Sequence, residues 1–255
     1  MIEISDLFFR YHTNSPLVID GVNAQFDNGK MYVLVGLNGS GKTTLIKMLA
    51  GLYQQTSGTI RIDGQSLINI PIIERAKRIA YVPQNSGRYD DFSVLDYLLF
   101  GTVNQTKFYE KPSQETEQYV RGLSERLGVS HLLPKKLNEV SGGERQIISI
   151  VSAIAQKTQT ILLDEPTSAL DIRNQYKVLS VLKELSESEG KTIVFSTHNP
   201  NHALYLDAFV LLLHNGQIVE QGKADAIVNP EKLRLIYGDH ICFSGDLPYR
   251  EISFL

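Results

Sequence analysis

The chain has 255 residues, of which 21% are charged, and a formal net charge of −3. That length supports a sizeable core, and a mildly acidic balance is the opposite of a basic nucleic-acid surface. Cys242 is the only cysteine, so no internal disulfide can form and a reducing cytosol is the expected setting.

The N-terminus, Met1-Ile-Glu-Ile-Ser-Asp6, lacks the basic and apolar regions of a signal peptide. Residues 2–35 read as β structure: Ile2-Glu-Ile4, then residues 22–26 with period-two alternation, then the apolar run Met31-Tyr-Val-Leu-Val35. That run leads into Gly36-Leu37-Asn38-Gly39-Ser40-Gly41-Lys42-Thr43-Thr44 and a helical pattern that stops near Gly51. Strand, glycine loop and helix at this spacing form a phosphate-binding loop. A triphosphate must leave water with several negative charges. Gly36, Gly39 and Gly41 let the backbone wrap close, so that its N–H groups, those of Asn38 and Ser40 among them, point inward. The following helix directs its positive end at the same phosphates. Lys42 reaches the β- and γ-phosphates, Thr43 offers a hydroxyl to Mg²⁺, and Thr44 closes the motif.

Strands are expected at residues 59–62 and 79–82. Residues 86–140 are polar and helix-rich, with helices expected at 93–101 and 113–127, and read as a lobe inserted between sheet-forming segments. A helix from Glu144 to Gln156 follows Ser141-Gly142-Gly143, which reads as a second anion site at a helix N-terminus. Next comes a buried strand ending in two acids, Thr160-Ile-Leu-Leu-Asp164-Glu165-Pro166. Asp164 suits Mg²⁺, directly or through a water, and Glu165 suits a general base facing the attacking water. A helix near 171–186 and a strand over 191–196 complete an alternation that implies a largely parallel sheet covered on both faces. His198 and His202 have the i,i+4 spacing of a zinc pair, but Asn199-Pro200 reads as a helix start that removes His198 from the face of His202. The longest apolar run, residues 208–213, is too short to cross a bilayer, so any work at a membrane needs another anchor.

The order of motifs resembles that of ATP-binding cassette (ABC) ATPases. Val140-Ser-Gly-Gly-Glu-Arg-Gln146 is similar to the family signature, Ser168-Ala-Leu-Asp171 to its D-loop, Tyr81-Val-Pro-Gln84 to its Q-loop and Ser196-Thr-His198 to its switch histidine. Tyr11 lies where the family has an aromatic residue stacked on adenine; Phe8 and Phe9 compete for that place. The resemblance implies an α/β P-loop NTPase (RecA-like) core with an N-terminal antiparallel β subdomain and an inserted α-helical subdomain. Residues 1–238 would be one ABC ATPase domain, with a catalytic core at 1–85 and 141–238 and a helical subdomain at 86–140. It further implies ATP and Mg²⁺ as ligands, Gln84 touching Mg²⁺ and water, and His198 touching the γ-phosphate. Two copies would pair head to tail, with Ser141, Gly142, Gly143 and Asp171 of each contacting the other's ATP. Val140 and Glu144 depart from the usual leucine and glutamine, and Ile147 and Ser152 stand where members often carry basic residues.

His198-Asn-Pro-Asn-His-Ala203, Gly216-Gln-Ile-Val-Glu-Gln-Gly222 and Leu233-Arg-Leu-Ile-Tyr-Gly238 resemble the ATPases of importers for iron–siderophore complexes, haem and vitamin B12. That subgroup often ends in a short β-hairpin, which residues 241–254 can form. The implied setting is the cytoplasmic face of the membrane, held by transmembrane permease subunits. An extracytoplasmic binding protein acts indirectly, and neither nucleic acid nor the transported substrate touches this chain. The apolar segment 92–100 is the candidate rim of the groove for the permease. The alternatives are an export ATPase, an importer of cobalamin or molybdate, or a soluble non-transport cassette protein.

Overall fold

The computed structural model describes residues 1–84, 91–103, 112–238, 241–244 and 251–254. Two antiparallel strands open the chain, β1 (Ile2–Phe9) and β2 (Ile19–Phe26). Strand β3 (Met31–Val35) leaves them for the middle of a second sheet and feeds helix α1 (Lys42–Leu49). Strands β4 (Ser57–Ile62) and β5 (Gln65–Ser66) return to the first sheet, whose order is β2-β1-β4-β5. Helix α2 (Ile72–Arg78) leads into β6 (Ile79–Val82). Helices α3 (Val94–Phe100), α4 (Gln114–Arg126) and α5 (Gly142–Ala155) precede β7 (Thr160–Leu163). Helix α6 (Ile172–Glu189), strand β8 (Thr192–Thr197) and helix α7 (Asn201–Leu206) follow. The hairpin β9 (Phe209–His214) and β10 (Gln217–Lys223), helices α8 (Ala224–Ile227) and α9 (Pro230–Tyr237), and the hairpin β11 (Ile241–Ser244) and β12 (Glu251–Phe254) complete it.

The second sheet has the order β10-β9-β3-β8-β7-β6 and is parallel except for β10. All five residues of β3 are buried, as in a strand covered on both faces. Met31, Val33 and Val35 enter one core, while Tyr32 and Leu34 enter the other, because successive side chains leave a strand on opposite sides. One core lies between the two sheets and around α1. The other holds α3 to α9 and takes in Ile252 from the C-terminal hairpin. Helices α3 and α4 pack on α5, which in turn packs on β6.

Several boundaries differ from the sequence reading. Strand β1 runs on to Phe9 through irregular pairing around Asp6, which has a positive φ. Helix α2 escapes a pattern search because none of its residues is buried, so it shows no apolar stripe. Helix α5 starts at Gly142 rather than Glu144, because Ser141 caps it and Glu144 bonds back to the Ser141 N–H and hydroxyl. Helix α7 starts at Asn201 behind Pro200, and Asn199 still caps it locally by accepting from the Asn201 N–H. Strands β11 and β12 pair antiparallel, Ile241 opposite Phe254; the expected turn between them lies outside the described residues, as does the start of the expected helical lobe.

His202 on α7 is buried, at 2% exposure. Asn199 Nδ2 donates to its Nε2 at 3.4 Å, which leaves the ring proton on Nδ1, facing Thr197 Oγ1 at 3.1 Å. Burial, aided by nearby His198, lowers its pKa from 6.5 to about 4. Above pH 6.5 the ring is neutral in both states and pH has no purchase on it. Below that, the unfolded chain takes up a proton that the folded chain refuses, so stability falls until about pH 4. At about 1.4 kcal/mol per unit, the loss is about 3 kcal/mol. Urea unfolding at pH 7.5 and pH 4.5 therefore shows a smaller drop for His202→Gln than for the wild type, and equal drops would remove His202 as the source.

Candidate active site

Parallel pairing brings the C-terminal ends of β3, β6, β7 and β8 to one edge. Val35 lies opposite Thr197, Leu163 opposite Phe195, and Val82 opposite Leu163. The residues just beyond those ends are therefore neighbours in space, although they come from four separate parts of the chain. This is where ligands bind in open α/β sheets. A cleft of 810 Å³ opens there, lined by Leu37, Asn38, Gly39, Gly41, Lys42, Thr43 and Thr44 of the loop. Tyr11, Val18, Gln84, Glu165, His198 and Tyr237 form the rest of its wall.

The loop's course depends on two of its glycines. Gly41 has a φ of 105°, a conformation that a side chain opposes. A Cβ on Gly36 would sit 2.4 Å from the Leu213 carbonyl oxygen of β9. Gly36 and buried Ser40 thus shape the loop from behind rather than line the cleft. Lys42 is buried and folds back, donating to the carbonyls of Gly36 at 2.7 Å and Leu37 at 2.9 Å. Burial lowers its pKa, opposed by the charges of Glu165 and Asp164.

The two acids after β7 part company. Asp164, at 1% exposure, sits beneath the loop. Its Oδ1 accepts from Thr43 Oγ1 at 2.9 Å and from Ser196 Oγ at 2.8 Å, and its buried Oδ2 has no hydrogen-bond partner. Glu165 takes a positive φ of 46°, an unfavourable state for this residue type, while its N–H donates to Ser196 Oγ at 2.9 Å. The turn sends its carboxylate into the cleft. Three groups meet it there. Gln84 Nε2 donates to Oε2 at 3.0 Å, His198 Nδ1 lies 3.9 Å from the same oxygen, and Lys42 Nζ lies 4.0 Å from Oε1.

Tyr11 stands at the far end of the cleft, half exposed, with its hydroxyl 3.0 Å from Thr44 Oγ1. Phe9 and Tyr53 meet it in edge-to-face geometry. Phe9 is buried and Phe8 lies on a different surface, beside Gly21, so Tyr11 is the aromatic of this stretch that lines the cleft. Ser141, Gly142, Gly143 and Asp171 are not in the cleft. Ser141 caps α5, and Asp171 caps α6 by accepting from Asn174 N at 2.8 Å. The His198 side chain is 58% exposed, whereas both ring nitrogens of His202 meet Thr197 and Asn199. Among the described residues no cluster of His, Cys, Asp and Glu is placed to hold a metal ion through three such side chains. Ile147 and Ser152, which stand where the resemblance leads one to expect basic residues, are buried within α5.

Ser196 and Tyr237 were not singled out by sequence reasoning. Ser196 lies within the Ser196-Thr-His198 motif, so its spacing was visible but its bonds to the Asp164 side chain and the Glu165 N–H were not. Tyr237 falls within the quoted segment 233–238, but two strands and two helices separate it from His198, and nothing local points to that contact.

The ABC transporter family profile matches residues 19–168. The molybdate import ATP-binding protein MolC of Haemophilus influenzae is 32% identical over 254 residues, covering 99% of this chain and 94% of that protein. The iron(3+)-hydroxamate import ATP-binding protein FhuC of Bacillus subtilis is 26% identical over 221 residues, covering 87% of this chain and 82% of that protein. A solved ABC transporter described as of metal-chelate type, in an inward-facing conformation, superposes with a TM-score of 0.81 at 30% identity, covering 100% of this chain and 96% of the other. With its phosphate loop, its paired acids and these relatives, the chain belongs to the ABC transporter family as an ATP-binding, ATP-hydrolysing subunit.

Proposed function

We propose that this ATPase energises the import of a metal complex, with iron chelates as the first choice, as a pair of copies beneath a membrane permease. The observation that carries the ATPase chemistry is the convergence of Gln84, Lys42 and His198 on the Glu165 carboxylate at the foot of the phosphate loop. The import reading rests on the names of two relatives, the metal-chelate type of the similar transporter and the resemblance of segments 198–203, 216–222 and 233–238. MolC and FhuC differ in cargo, and no residue of this chain is expected to touch it.

In this reading Tyr11 stacks on the adenine, and the loop amides of residues 38–44 and Lys42 hold the phosphates. Lys42 must exchange its two carbonyl partners for phosphate oxygens, which its flexible stem permits. Thr43, Gln84 and Asp164 are the residues that would hold Mg²⁺. The fit is favourable: they form an oxygen donor set, as Mg²⁺ prefers, and a buried carboxylate oxygen without a partner is costly until a cation meets it. A Mg²⁺ ion held there would supply positive charge against the negative charge of the phosphates. Glu165 takes a proton from the water whose oxygen bonds to the γ-phosphorus, while the bond from that phosphorus to the bridging oxygen breaks and ADP leaves with its electron pair. Gln84 orients the Glu165 carboxylate through Oε2, and His198 contacts the γ-phosphate beside it.

The signature lies outside its own cleft, which suits a site completed by a second copy. Gly143 is explained within this chain, since a Cβ there would meet the Ala169 carbonyl at 2.9 Å. Gly142 is not, because nothing lies within 4 Å of its Cβ position; a partner's ATP would supply the reason. Residues 1–238 then form one cassette, and 239–255 an extension. Among the described residues no helix is long and apolar enough to cross a membrane, so attachment at the cytoplasmic face falls to permease subunits. Phe92 and Phe100, 49% and 72% exposed with rings 6.4 Å apart, form the candidate rim of the permease groove.

Glu165→Gln keeps ATP binding, loses about 10²–10⁴ in turnover and accumulates as an ATP-bound dimer. Phosphate release and size-exclusion chromatography measure both, and wild-type turnover would remove Glu165 from the base role. Exposed Ser141→Arg leaves nucleotide binding intact but blocks pairing, and a variant that still dimerises and turns over would refute the signature assignment. Affinity purification from native membranes identifies the permease and binding protein, and export-type partners would overturn the import reading.

A further inference from the structure

More than half of the His198 side chain is exposed, so its position depends on where its backbone is held. Its loop joins the end of β8 to α7, and the C-terminal end of the chain grips that loop at two points. Tyr237, at the end of α9, donates from its hydroxyl to the His198 carbonyl at 3.0 Å. Asn201, the first residue of α7, pairs its side-chain amide with the backbone of Ile252 in both directions. Nδ2 donates to the Ile252 carbonyl at 2.8 Å, and the Ile252 N–H donates to Oδ1 at 3.0 Å.

We propose that Tyr237 and the C-terminal hairpin are positioning elements for ATP hydrolysis, holding the His198 backbone so that its imidazole stays beside Glu165. The proposal rests on the reading of His198 as the γ-phosphate contact. Both grips start from well-anchored groups. Tyr237 is 8% exposed and Ile252 4%, and both belong to the core that also contains Ala203 and Leu206 of α7. Burial raises the pKa of the Tyr237 phenol, so it remains a neutral donor. Tyr237 also lines the cleft, so one side chain joins the wall of the nucleotide site to the C-terminal core. The amide pair of Asn201 adds a rung to β12 from outside the hairpin, fixing the other end of the same loop. Misplacing a catalytic group by about 1 Å can cost about 10²-fold in rate, and these bonds add long-range restraints on where the His198 backbone sits.

The test uses the purified full-length chain and measures steady-state phosphate release, ATP affinity and the thermal midpoint. Tyr237→Phe removes only the hydroxyl. It is expected to lower kcat about five- to tenfold, with KM and ATP affinity within about twofold, the scale of one lost hydrogen bond. Asn201→Ala should act in the same direction at a thermal midpoint that still leaves the protein folded at the assay temperature. In a His198→Ala background, Tyr237→Phe should cause no further loss, which separates positioning of His198 from general destabilisation. Unchanged kcat in both single variants, or an equal loss from Tyr237→Phe in both backgrounds, would overturn the proposal alone. Wild-type turnover in His198→Ala by itself would overturn the role of His198 and the proposal with it.

Discussion

One buried carboxylate ties the catalytic half of this molecule together. Asp164 ends β7, and a single oxygen of it accepts from Thr43 at the start of α1 and from Ser196 on β8. Three elements are thereby held in one register around a group that is 1% exposed. Ionic groups are retained in such positions only with good hydrogen bonds, since desolvation opposes their charge. Its second oxygen, left without a partner, carries the remaining demand for a cation. The phosphate loop, the base and the expected metal position all refer back to this side chain.

The sheet makes that arrangement possible. Parallel strands end on one side, so β3, β6, β7 and β8 deliver the segments that follow them to the same cleft. Alternation along β3 sends Tyr32 and Leu34 to one core and Met31, Val33 and Val35 to the other. The cleft edge is thus braced from both faces at once. Ser196 adds a second brace, because it holds the Asp164 side chain and the Glu165 backbone together. That contact supports the positive φ of Glu165, and the turn explains how two adjacent acids take up different work: one is buried beneath the loop, the other faces the cleft.

Much of this was legible in the chain because it is local. The phosphate loop is a strand, a set of glycines and a helix in unbroken succession, and its chemistry follows from spacing alone. Helix α2 was not legible, since it buries nothing and so imposes no periodicity. The start of α5 was misplaced by two residues because the glycines after Ser141 are poor helix formers, and only the capping bonds draw them into the first turn. Tyr11 could be separated from Phe8 and Phe9 only by where each ring points.

By itself the sequence determined a nucleotide-binding α/β protein and marked out a loop lysine, a candidate base and a signature, because each of those devices is written within a few consecutive residues. Only the tertiary structure decided that Gln84, Lys42 and His198 meet on Glu165, that Ser196 braces both acids, and that Tyr237 and Ile252 reach back to the His198 loop. Those contacts join residues tens to more than a hundred positions apart in the chain. They exist because parallel strands and a shared core bring distant segments to one edge, which no local pattern encodes.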